Sequence, residues 1–147
     1  MTVSTDRFVY VTYIRTTPAK TWQALLEGEI TRQYWKCENV TDWTLGAKWQ
    51  LVACNEERTV LHIGEILENV PEKRLVLSWG DIADANDKAR HSRLAIDIET
   101  VGEMVRLTVT HDKLTPELQK KITAGWPRVL SSLKSFLETG KPLDTWA

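Results

Sequence analysis

Three histidines, two cysteines and seven tryptophans carry most of the chemistry this 147-residue chain could perform. A histidine titrates near neutral pH and acts as a general base once a partner holds it in place. His62, His91 and His111 each fall in or beside a predicted strand, and none has such a partner nearby in sequence. His111 shares the inward parity of Val105, Leu107 and Val109, so it reads either as a pocket residue or as a hydrogen-bonded structural histidine. His91 is expected at an exposed strand edge. Glu65 shares the face of Leu61 and Ile63, where a carboxylate could supply a polar contact or a base, unless Gly64 bulges the strand. The bulge is the simpler expectation. Arg93 lies opposite in parity to Leu94 and Ile96 and reads as outer-face charge. Cys37, close to Trp35, is either a reactive thiol near a cavity mouth or a quiet, partly buried side chain, and no motif that lowers a thiol pKa accompanies it.

Other chemistries lack their spacing. Cys37, Cys54, His62 and His111 form no Cys-x-x-Cys or His-x-x-x-His pattern, so neither a metal nor a cofactor is expected. There is no Gly-x-Ser-x-Gly elbow, and Ser131-Ser132 falls in a helical pattern where it faces packing or solvent. No glycine-rich phosphate loop is present. The tryptophans are the strongest signal. Trp35, Trp43, Trp49, Trp79 and Trp126 come from separate predicted elements, and each alone reads first as core, since aromatic side chains bury about 150–250 Å². Together they could line a pocket for a flat or greasy ligand.

Nineteen basic and 20 acidic side chains give a formal charge of -1, which argues against an electrostatic footprint for nucleic acid. The first fifteen residues lack the pattern of a secretory signal, and no apolar run reaches the ~20 residues a membrane span needs. Two cysteines suit a reduced cytoplasmic chain better than a disulfide scaffold. The length fits a single domain over residues 1–147.

These side chains must be positioned by the elements around them. The β-branched and aromatic run Phe8 to Ile14 predicts a covered strand. Thr17-Pro18 predicts a capped helix start, with Trp22, Leu25 and Leu26 at helical spacing up to Gly28, and Ile30, Tyr34 and Trp35 in a second short helix. Asn39 to Lys48 reads as a loop with apolar anchors, a candidate lid. The period then changes to two: a strand around Trp49 to Ala53, a longer one from Thr59 to Val70, a turn at Pro71-Glu72-Lys73, and a strand through Leu75, Leu77 and Trp79. Gly80 to Lys88 is polar and reads as a mobile loop. Two strands follow, joined by a tight hairpin at Val101-Gly102-Glu103. Thr115-Pro116 starts a long amphipathic helix through Ile122, Trp126, Leu130 and Leu133, with Gly140 as its cap and Pro127 expected to kink it or restart it after Gly125. This order predicts an α+β fold: a curved antiparallel sheet wrapped around a long C-terminal helix, with two short helices after strand one. A twisted sheet cannot sit flush on one helix along its whole length, so a ligand cavity is expected between them.

Three stretches, FVYVTYIRTTPAKTWQALLEGEITRQYW, VPEKRLVLSW and GWPRVLSSLKSFLETGKPL, resemble the SRPBCC superfamily, the helix-grip fold shared with START lipid-binding domains and the major birch pollen allergen. More narrowly they resemble the branch similar to the C-terminal domain of the activator of heat-shock-protein-ninety ATPase. That resemblance implies a binder of small hydrophobic molecules. The expected cavity is bounded by Trp35, Trp43, Trp79, Leu107, His111, Trp126 and Leu130. Two alternatives stand beside it. One is a cyclase-, aromatase- or hydrolase-like enzyme in which His111 or Glu65 moves a proton; the other is an interaction domain for a chaperone ATPase. The expected partner is a small hydrophobic molecule, with no nucleic acid and no membrane insertion. Trp146 in the tail either packs back on the domain or contacts a second subunit to form a homodimer.

Overall fold

The computed structural model describes residues 7–144, so the Trp146 expectation lies outside the described residues. The chain opens with strand β1 (Phe8–Ile14), followed by helices α1 (Pro18–Leu26) and α2 (Gly28–Tyr34). Both the α1 start and that of the last helix are fixed by the same chemistry. The Thr17 hydroxyl accepts from Lys20 N–H at 3.2 Å and the Thr115 hydroxyl from Leu118 N–H at 3.2 Å, each with proline at the next position.

Five further strands precede the final hairpin partner: β2 (Cys37–Val40), β3 (Lys48–Ala53), β4 (Val60–Val70), β5 (Arg74–Trp79) and β6 (Ser92–Val101), and then β7 (Met104–Asp112). Among the described residues they form one antiparallel seven-stranded sheet in the order β1-β7-β6-β5-β4-β3-β2. Each strand from β2 to β7 lies beside its neighbour in the chain, and β1 closes the far side against β7, with Phe8 opposite His111 and Ile14 opposite Val105. The sheet curls around helix α3 (Pro116–Thr139), giving the expected helix-grip arrangement. Leu75, Leu77, Leu94, Ile96, Val105, Leu107 and Val109 meet Ile122, Trp126, Leu130 and Leu133 in one apolar core. Among the described residues no helix is long and apolar enough to cross a membrane.

Four local expectations are corrected. Helix α3 runs unbroken through Pro127 rather than restarting after Gly125. Buried residues on both sides, Ile122 and Trp126 before and Val129, Leu130 and Leu133 after, hold it to the sheet despite the missing amide donor. Gly64 is not a bulge, because the β3–β4 register passes through it unshifted, with Trp49 opposite Gly64 and Lys48 opposite Glu65. It is glycine because a Cβ there would lie 1.8 Å from the Ser78 carbonyl oxygen. The inward parity of β4 is that of His62, Gly64 and Ile66, so Glu65 belongs to the other face, while Leu61, 39% exposed, is the extra residue where the β3–β4 register shifts between Leu51 and Val52. His91 is buried, at 7% exposure, with its Nε2 2.8 Å from the Asp84 carbonyl oxygen and its ring against Gly80. The segment between β5 and β6 carries two short 3₁₀ turns, Ile82–Asp84 and Lys88–Arg90.

The lid expectation also fails. Cys37–Val40 is a strand, and the loop after it is pinned to β4: Gly46 N–H donates to Ile66 O at 2.8 Å, and Asn69 Nδ2 donates to Trp43 O at 2.9 Å. The outer edge of β1 is covered at both ends by side chains of α3. Gln119 Nε2 donates to Arg7 O at 3.5 Å, Lys134 Nζ to Tyr13 O, and Glu138 accepts from Arg15 N–H at 2.9 Å.

Candidate functional site

His111 comes to the inner face of β7 by strand parity, and there it is fully buried. Both ring nitrogens are occupied. Trp126 Nε1–H donates to His111 Nδ1 at 3.2 Å, and His111 Nε2 lies 2.8 Å from Ser92 Oγ. Ser92 gives its own hydroxyl proton to the Trp79 carbonyl at 2.8 Å, so its oxygen must accept from His111 Nε2–H. The chain of bonds therefore fixes one neutral tautomer. Burial, followed by the nearby His62, lowers the His111 pKa to about 3. His111 is thus a structural link between β7, β6, β5 and α3, without a lone pair free for a substrate.

Around this link the indoles gather. Trp79 centres the group, with ring centroids 5.2 Å from Trp49, 5.8 Å from Trp126, 5.3 Å from His111 and 4.6 Å from His62. Trp35 joins from the end of α2, 5.5 Å from Trp126. Trp49 Nε1 donates to Asn39 Oδ1 at 2.8 Å, and Asn39 Nδ2 donates to Leu25 O, which ties β2 to α1.

A cleft of about 360 Å³ opens between the N-terminal half of α3 and the β2–β3–β4 side of the sheet. Trp35, Trp79 and Trp126 line it, together with Leu118, Ile122, Gly125 and Val129 of α3 and with Leu51, Leu61, Cys37 and His62. Leu130 instead faces a small enclosed void of about 20 Å³ behind the indoles. Trp43, Leu107 and His111 line neither space: Trp43 packs half-buried on the core from the β2–β3 loop, and Leu107 lies beneath α3 in the core. Glu65 also stands outside the cleft, paired with Lys88 at 2.7 Å.

The lining includes side chains that periodicity did not single out. His62 points inward because β4 has the opposite parity to that suggested by Leu61 and Ile63. Burial lowers its pKa, partly offset by Asp81, whose Oδ1 lies 3.8 Å from His62 Nδ1. Cys37 gives its thiol proton to Trp35 O at 3.4 Å, and burial, then Cys54, pushes its pKa up to about 12, so it is a protonated wall group. Lys36 and Lys121 are the charged groups of the lining, which contains no Asp or Glu. Lys36 follows α2 in a left-handed conformation, φ 62°, with its N–H donating to Thr31 O at 3.2 Å, a helix-ending position usually given to glycine. Among the described residues no three His, Cys, Asp or Glu side chains converge as a metal site, and both cysteines are free.

Residues 15–138 match the family model described as Activator of Hsp90 ATPase homolog 1-like protein. The chain belongs to this family. As a member of the Hsp90 ATPase activator-like branch of the SRPBCC proteins, it shares its fold with several solved structures at low identity. CalU16 from Micromonospora echinospora superimposes with a TM-score of 0.75 at 18% identity, covering 94% of this chain and 77% of that one. An Aha1 dimer from Colwellia psychrerythraea gives 0.76 at 19% identity, covering 92% and 98%. An HSP90 activator from Plasmodium falciparum gives 0.72 at 18%, covering 89% and 95%. No curated protein sequence matches the chain. For this member of the Hsp90 activator-like family, these likenesses establish the architecture; the chemistry must be argued from the cleft.

Proposed function

We propose that this protein binds a small hydrophobic or aromatic molecule in the cleft between α3 and the sheet. The observation that carries the reading is an open space of about 360 Å³ walled by three indoles from three different elements. Its volume falls in the range of small-molecule sites, and its walls are apolar apart from a few polar groups, which is how such sites are built.

Binding is preferred to catalysis because of what became of the two proposed proton carriers. His111 spends both nitrogens on Trp126 and Ser92, and Glu65 is ion-paired on the opposite side of β4. The test is a tryptophan-fluorescence titration, backed by native mass spectrometry, against lipids, flavonoids and polyketide-like aromatics. Saturable binding by at least one class is expected. Trp35→Ala should weaken it about tenfold with little loss of fold, since Trp35 is only half-buried and packs at the edge of the core rather than within it. Absence of saturable binding throughout the panel, or unchanged affinity in the Trp35 variant, would overturn the assignment.

A further inference from the structure

We infer that the cleft selects an organic acid: an apolar body seated on the indoles, with an anionic head at the rim held by Lys36 and Lys121. The inference rests on the ligand-binding reading and adds the chemical class of the ligand.

The charge of the lining is one-sided. It contains two lysines and no acidic side chain, although the chain as a whole carries 19 basic and 20 acidic residues. Lys121 extends from the first half of α3 and Lys36 from the turn after α2, so the cations come from two different elements that both border the cleft. Among the described residues Lys121 has no ion-pair partner. Lys36 contacts Asp144 at 3.5 Å, with both side chains more than half exposed, a pairing that an incoming anion can replace at small cost. Asp81 stands beside His62 at 3.8 Å with its side chain 68% exposed. An apolar slot with a cationic rim complements a molecule of the opposite design, and a neutral hydrocarbon would leave both ammonium groups unused.

Lys36 ends α2 in a left-handed conformation that glycine adopts without cost, as do Trp43, Arg58, Glu72 and Lys113 elsewhere in the chain, so a glycine can take its place without strain.

The experiment compares 8-anilinonaphthalene-1-sulfonate with N-phenyl-1-naphthylamine, which share an aromatic body and differ in the anionic group. Fluorescence titrations would be run on the full chain at low salt. The wild type should bind the sulfonate about tenfold more tightly than the neutral amine, with 2-naphthoate displacing it, and added salt should weaken only the sulfonate. Lys121→Met and Lys36→Gly should each cost the sulfonate about threefold and together bring it to the level of the amine, whose affinity stays unchanged. Lys36→Gly suits the backbone at φ 62°, so it removes the charge without straining the fold. Equal binding of the two probes in the wild type, equal loss of both in the variants, or a sulfonate preference that survives both substitutions would overturn the inference while leaving an apolar ligand site standing. Failure of both probes to bind saturably would overturn the ligand site and the inference together, and binding of the amine without the sulfonate would overturn the inference alone.

Discussion

Protonating His111 would remove the acceptor that Trp126 Nε1–H uses, so the folded state should lose stability in mild acid. The sign follows from the shift. The folded pKa lies at about 3, below the ordinary value of 6.5, so the unfolded chain binds the extra proton first and stability falls as pH drops from about 6.5 toward 3. The slope from this one group approaches about 1.4 kcal/mol per pH unit, and His62, also lowered by burial, contributes with the same sign. Urea midpoints measured between pH 7 and 5, above the titration of most carboxylates, would show the fall in the wild type and a reduced slope in His111→Gln. A flat wild-type profile would contradict the bonding scheme. The inward parity of His111 was legible from Val105, Leu107 and Val109; its role was not, because its partners Ser92 and Trp126 lie 19 and 15 residues away. His62 was hidden for a different reason. Leu61 and Leu67 are exposed at 39% and 42%, so on β4 apolar character does not mark the inner face.

At the level of elements, the caps were readable because their chemistry is local. Thr17-Pro18, Thr115-Pro116 and Gly140, the last at φ 81°, each act within a turn of the helix end they define. Strand β2 escaped notice because its four residues, Cys-Glu-Asn-Val, bury only Cys37 and so show no alternation. Gly64 illustrates a contact that no local pattern encodes. A Cβ at this position meets the Ser78 carbonyl at 1.8 Å, and because that oxygen is backbone, β4 and β5 must move apart to admit it. Gly64→Ala should therefore lower stability by about 1–3 kcal/mol, seen as a reduced Tm, and a variant as stable as wild type would show that the strands are less closely held. Helix α3 makes the complementary point. Pro127 looks like a break in sequence, but the apolar face on either side of it is continuous and decides the outcome.

For the whole molecule, the resemblance to helix-grip proteins carried the topology, which strand periodicity alone could not order: only the β1–β7 pairing departs from neighbours in sequence. The place of the cleft was harder to foresee. The gap depends on how the N-terminal half of α3 stands against β3 and β4, a matter of curvature that assembles lysines, a thiol and indoles from the end of α2, β2, β5 and α3. Trp43 and Leu107, equally apolar, fall outside it because they belong to the β2–β3 loop and to the centre of β7. The same helix has a second relation to the sheet. An unpaired strand edge is a template for another chain, and β1, with Val9, Val11 and Tyr13 exposed and no charge between Phe8 and Ile14, would be an inviting one. Gln119, Lys134 and Glu138 bond the backbone at the two ends of this edge, so α3 narrows the stretch on which another strand could pair. Losing the Lys134 amine, as in Lys134→Met, would free the Tyr13 carbonyl and lengthen the pairing surface that β1 offers.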